Sequence, residues 1–352
     1  MKTEQVKKEQ EKKDKLKPML FSVLGKYSGK QFVTDVVAGL IVAVIALPLS
    51  IALALASGVG PEQGIYTAII AGFIISFLGG SRVQIAGPTA AFATIVAGIV
   101  ARNGMDGLIL ATIIAGIILI VMGILRLGSL IKFIPYTITT GFTSGIAVTI
   151  VIGQVKDFLG LTYPAGTENI ESIDKIKAIG SNIGTINWQA LLVGAVCLAI
   201  LIVWPFISSK IPGSLIAVVV GILMVELLDM KVNTIGNLYS ISNDLPSFHL
   251  PEISWSAIRN VAPDGLTIAI LAAIESLLSC VVADSMINSH HRSNMELVAQ
   301  GVGNIGSALF GGIPATGAIA RTAANIKNGG RTPIAGMVHA IVLVLVLVVL
   351  MP

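Results

Sequence analysis

Apolar runs of about twenty residues, separated by short polar breaks, recur along this chain, and about 20 apolar residues suffice for a helix to cross a bilayer. The pattern predicts spanning helices near 34–57, 62–79, 106–127, 136–158, 188–208, 212–229, 263–287, 295–310 and 332–351. Two further runs, near 88–101 and 315–327, are too short to cross as full helices. Each follows a Gly/Pro-broken stretch: Gly79-Gly80-Ser81-Arg82 through Gly87-Pro88-Thr89, and Gly311-Gly312-Ile313-Pro314-Ala315-Thr316-Gly317. Residues 161–187 and 230–262 are of mixed polarity and read as outer loops with short helix or strand.

The two broken segments occupy matching places in two halves of the chain. Asp35 and Asp264 open corresponding helices, Ala46–Ser50 lies opposite Ala273–Leu277, and Glu62 through Pro88 lies opposite Glu296 through Pro314. Their common order argues for seven-helix repeats of opposite topology. The second stops after four helices at Pro352, so the chain is expected to be a fragment or to lack its last gate helices. Paired interrupted segments in corresponding positions point to the central site of a transporter. Pro88 and Pro314 are expected in first helical turns, where a missing N–H costs little. Free amides and the positive ends of two helix dipoles would then suit an anion.

Composition supports the membrane reading. The chain is 54% hydrophobic and 12% charged, with mean hydropathy +0.88, too apolar for a soluble chain of this length. Residues 1–30 carry nine Lys against four acids. This reads as a cytoplasmic approach to the membrane rather than a nucleic-acid arm, and it lacks the form of a secretory signal. With that end inside, the inner loops hold seven bases, including Lys132 and Lys210. The outer loops hold six bases and ten acids, Glu168 among them. The alternation requires both short runs to count as crossings. Cys197 and Cys280 lie in apolar segments and read as packing residues, and His249, His290, His291 and His339 show no metal-ligand spacing.

A few polar residues stand out inside the apolar runs. Glu275 is near mid-span, where a carboxylate costs about 3 kcal/mol on insertion scales and is a functional candidate by default. It is read as the site of a coupling proton or Na⁺, against a structural interhelical hydrogen bond. Ser279 shares its face one turn on. Thr89 and Thr316 add hydroxyls beside the free amides, and Thr316 is grouped with Glu275 and Ser279 as a coupling set. Arg321 either holds positive potential at the site or pairs with Glu275. Pro48 kinks the first helix, so that Leu53 faces the same centre, where plain packing is the simpler role. Asp284 reads as an interfacial or helix-pairing residue, and Gly141 through Gly145 as a close-packing motif.

Asp35-Val36-Val37-Ala38-Gly39-Leu40, Gly58-Val59-Gly60-Pro61, Gly79 through Phe92, Glu275-Ser276-Leu277-Leu278-Ser279 and Gly311 through Asn325 together resemble the sulfate permease (SulP) family of anion transporters, which includes prestin. The resemblance runs from about residue 30 to the end. It implies an all-α polytopic fold of seven-plus-seven inverted repeats, with a core domain, a gate domain and usually a following cytoplasmic STAS domain, which this chain is expected not to include. By this likeness the segments are 1–30 (basic N-terminal segment), 31–130 (core, first repeat), 131–262 (gate helices and outer loops) and 263–352 (core, second repeat). It also implies an anion lined by Leu53, Thr89, Ala90, Ala318, Ile319, Ala320 and Arg321. Glu275 and Ser279 match positions that hold Na⁺ in bicarbonate-transporting relatives.

The resulting expectation is a homodimeric secondary carrier in a bacterial-type inner membrane. Its substrate would be a small inorganic anion or a dicarboxylate, with sulfate first and bicarbonate next. It would work by proton- or Na⁺-coupled symport through an elevator-like motion, with no organic cofactor and no nucleic acid. The rivals are a nucleobase carrier of related fold, an uncoupled anion channel, exchanger or voltage-driven motor, and an intramembrane hydrolase.

Overall fold

A computed structural model describes residues 16–129, 136–164, 166–167, 171–208, 213–239 and 244–350. Residues 1–15, Lys132, Glu168, Lys210 and Pro352 lie outside that set. The chain divides into one unit of residues 1–135 and 241–352 and a second of residues 136–240.

In chain order the first unit begins with α1 (Leu20–Val23), α2 (Gly29–Ala56), α3 (Pro61–Leu78), β1 (Ala86–Gly87) and α4 (Ala93–Ile124). The second unit holds α5 (Tyr136–Phe158), α6 (Ser172–Ser181), α7 (Trp188–Ile207), α8 (Gly213–Leu227) and α9 (Ile235–Leu238). The chain then returns to the first unit as α10 (Trp255–Ile287), α11 (Ser293–Leu309), β2 (Thr316–Gly317), α12 (Ile319–Lys327) and α13 (Ile334–Leu350). Among the described residues, α2, α3, α7, α10 and the run Ala90–Ile124 are long and apolar enough to cross a membrane.

Local chemistry explains several helix starts. The Ser28 hydroxyl accepts the Gln31 amide at the head of α2, Asn187 accepts two amides at the head of α7, and Ser254 accepts the Ala257 amide at the head of α10. Such caps satisfy amides that the helix cannot. Pro61 occupies the first turn of α3. Because Ser254 supplies its cap, α10 starts at Trp255 and runs through Pro263, rather than starting near 263 as the apolar run predicts.

The short run 88–101 and the helix 106–127 stay distinct within α4: the chain kinks at Gly104 (φ 66°, ψ −172°), which parts a short first helix from a longer second one. Further expectations are corrected. Neither proline lies in a first turn. Thr89 is extended between Pro88 and the 3₁₀ turn Ala90–Phe92, and residues from Pro314 to Ala318 precede a helix that starts at Ile319. Among the described residues, nothing lies within 4 Å of where a side chain on Gly141 or Gly145 would begin, so no close-packed partner is seen there.

The core of the first unit sits on both sides of α3 and α4. Phe92, Val96, Ile99, Leu108 and Leu119 pack with Ile268, Ala272 and Leu277 of α10 and Leu297 of α11. Ala43 and Ile51 of α2 pack with Ile65 and Ile69 of α3 and Leu343 and Leu347 of α13. At the crossing of α4 with α11, a side chain on Gly116 would meet the Gly301 carbonyl at 2.7 Å, and one on Gly301 would meet the Gly116 carbonyl at 2.4 Å. Only glycine permits that approach. Asp35, fully buried, accepts from the Tyr27 hydroxyl, Gln31, the Arg331 amide and the Thr332 hydroxyl, which ties α2 to the start of α13. Burial, followed by the Asp35 carboxylate, pushes the Tyr27 phenol up to about 12.

Candidate functional site

β1 and β2 pair antiparallel, with Ala86 opposite Gly317 and Gly87 opposite Thr316. The Ala318 amide extends the pairing to the Ile85 carbonyl at 2.9 Å. Two residues in each strand suffice to bring the start of α12 beside the 3₁₀ turn that begins α4. Neither start is capped: Ala318 has no polar side chain, and Thr89 makes no capping hydrogen bond. The first amides of each helix therefore lack an intrahelical acceptor, and the dipoles add positive potential at the same place.

Arg321 is 2% exposed, and its Nη2 donates to the Pro88 carbonyl across the strand pair. Among the described residues its Nε and Nη1 have no hydrogen-bond partner. Buried guanidinium donors are normally satisfied, so two open ones leave unpaired positive charge at this place. A side chain on Gly87 would begin 2.3 Å from Nη1, so the guanidinium fits only over glycine.

Glu275 of α10 accepts the Thr89 hydroxyl at 3.0 Å. Glu275 and Arg321 attract one another, but among the described residues no salt bridge joins them. The next residue on α10, Ser276, lies 2.7 Å from the Thr316 hydroxyl and accepts the Gly317 amide at 3.2 Å. Ser279 is fully buried, and its hydroxyl has no partner among the described residues. Ala320 is exposed and Ala90 and Ile319 half-buried, so the helix starts reach accessible surface while the strands behind them are buried. The hydrogen-bond network thus gathers Thr89, Glu275, Thr316, Ala318 and Arg321. It does not gather Leu53, which is half-buried on α2 and offers its carbonyl to the Ser57 hydroxyl at 2.7 Å. Asp284 binds the His291 amide and ring at 2.8 and 2.7 Å, closing the turn between α10 and α11 rather than pairing helices.

The family model for the sulfate permease family matches residues 32–352. The chain belongs to the sulfate permease family. It is 44% identical, over 93% of its length, to a Bacillus subtilis (strain 168) protein named "Putative sulfate transporter YvdB", of which it covers 62%. It is 35% identical, over 89% of its length, to "Bicarbonate transporter BicA" of Picosynechococcus sp., of which it covers 56%. This sulfate permease chain therefore spans less than two thirds of those relatives. The solved transmembrane domain of a cyanobacterium bicarbonate transporter BicA matches with TM-score 0.82 and 33% identity, covering 92% of this chain and 84% of that one. SLC26A9, at 20% identity and TM-score 0.80, shares the fold. The fold is that of an all-α polytopic membrane transporter, and the relatives are named as transporters, not enzymes.

Several site-organising residues were not singled out in the sequence. Glu296, Gln300, Asn304 and Ser307 are fully buried on α11 and hold both extended segments. Their four-, four- and three-residue spacing is the signal that was available. Gln84 joins them by donating to Glu296 while accepting from the Cys280 thiol.

Proposed function

We propose that this chain carries the anion site of a secondary active transporter in the cell's inner membrane, with sulfate, bicarbonate or a dicarboxylate as substrate. The anion lies at the uncapped starts of α4 and α12, where amides of Ala90, Ile319 and Ala320 and the open donors of Arg321 replace its water shell. Glu275, with Ser279, takes the coupling proton or Na⁺, and the first unit moves as the carrier body of a dimer. The observation that carries this reading is the β1–β2 pairing, which brings two uncapped helix starts and a buried Arg with unmet donors to one place. That Arg disfavours the nucleobase reading, because a neutral base offers nothing to offset a buried guanidinium. The names of the relatives support sulfate and bicarbonate as first choices.

The test is uptake of radiolabelled sulfate and bicarbonate into proteoliposomes, with and without imposed pH and Na⁺ gradients. Uptake of one anion that a pH or Na⁺ gradient drives above equilibrium is expected. Anion currents independent of both gradients would reject the carrier reading, as would uptake of neither anion and of no labelled dicarboxylate.

A further inference from the structure

One helix contacts both extended segments, although the segments come from different halves of the chain. On α11, Glu296, Gln300, Asn304 and Ser307 fall on one face, each 0% exposed. Towards β1, Glu296 Oε2 accepts the Gly80 and Ser81 amides at 2.8 and 3.1 Å, and Oε1 accepts from Gln84 and Gln300 at 3.0 and 2.9 Å. Towards β2, Asn304 pairs with the Ala315 peptide in both directions: Oδ1 accepts its amide at 2.8 Å, and Nδ2 donates to its carbonyl at 2.9 Å. Ser307 donates to the Ile313 carbonyl at 2.8 Å.

A carboxylate and two amide side chains are expensive in the interior of a membrane protein, and an apolar face would pack helices without that cost. The matching helix of the first half does without such a face. Aligned on Glu62, α3 presents Tyr66, Ile70 and Phe73 where α11 has Gln300, Asn304 and Ser307. Its hydrogen bonds to an extended segment come from Thr67, to the Ile313 backbone. The task of holding both segments has therefore fallen to α11.

We propose that the polar face of α11 is the ruler of the anion site: Glu296 and Asn304 fix the spacing of the two half-helix starts and thereby set which anion fits. Neither touches the anion, so both are positioning residues. A carboxylate at 304 keeps the acceptor but loses the donor to Ala315, leaving a carbonyl unpaired and the segment free to shift. The inference rests on the carrier reading above and deepens it.

The test measures KM and kcat/KM for sulfate and for bicarbonate in proteoliposomes, with the Tm of the purified protein, for wild type, Asn304→Asp and Ser307→Ala. Asn304→Asp is expected to raise KM for the preferred anion about tenfold and to change the sulfate-to-bicarbonate ratio of kcat/KM about fivefold or more. Ser307→Ala, which removes one hydroxyl and adds no volume, is expected to move both in the same direction by about threefold. It keeps the test alive if Asn304→Asp does not fold. A purely structural role lowers Tm or the yield of folded protein and leaves KM and the ratio within about twofold of wild type. That outcome overturns the inference. Wild type that takes up neither anion and no labelled dicarboxylate refutes the carrier reading instead.

Discussion

In the proposed function Glu275 and Arg321 take separate roles, and each has a different hydrogen-bond partner. The carboxylate accepts the Thr89 hydroxyl and the guanidinium donates to the Pro88 carbonyl, so the two are held by separate hydrogen bonds although their charges attract. Two Arg321 donors stay open among the described residues, and in the proposed function these meet the anion while Glu275 takes the coupling cation. Glu275→Gln is accordingly expected to abolish gradient-driven uptake, by about tenfold or more, while the sulfate Kd stays within about threefold. Gradient-driven uptake equal to wild type would remove Glu275 from coupling. Both residues were legible in the sequence because a charge inside an apolar run has a recognisable cost. Thr89 was legible as a hydroxyl at the right place, though not as the donor to Glu275. Glu296 and Asn304 were not legible as site organisers, since a polar stripe on a helix says nothing about the backbone it will meet.

The decisive elements are the shortest ones. Two two-residue strands set the geometry, and α12 is nine residues long. Hydrophobic runs located the long helices well, because bilayer thickness imposes their length. They failed where local chemistry overrode the pattern: a serine cap carried α10 back past Pro263, and extended backbone displaced Pro88 and Pro314 from helical turns. The Gly141 motif meets no partner among the described residues, since small residues permit close packing but do not supply one. Gly87 tests the strand pair itself. In Gly87→Ala the new methyl meets the far end of a flexible side chain, which can move aside. Stability should therefore fall by only about 1–2 kcal/mol. Displacing the guanidinium should weaken sulfate binding about tenfold, read by calorimetry beside a melting curve. Unchanged affinity would mean that Arg321 does not hold the anion.

At the scale of the molecule, the order long helix, second helix, extended segment, half-helix occurs twice in the first unit: α2, α3, β1, α4, then α10, α11, β2, α12. The antiparallel pairing of the extended segments turns this repetition into one site, and the polar face of α11 makes the two halves unequal around it. The most direct measurement is the position of the anion, found by anomalous scattering from crystals of the protein grown with selenate, a sulfate analogue. A selenium peak within hydrogen-bonding reach of the Arg321 guanidinium and the amides of Ile319 and Ala320 is the predicted result. A peak elsewhere, with that place empty, would contradict the account.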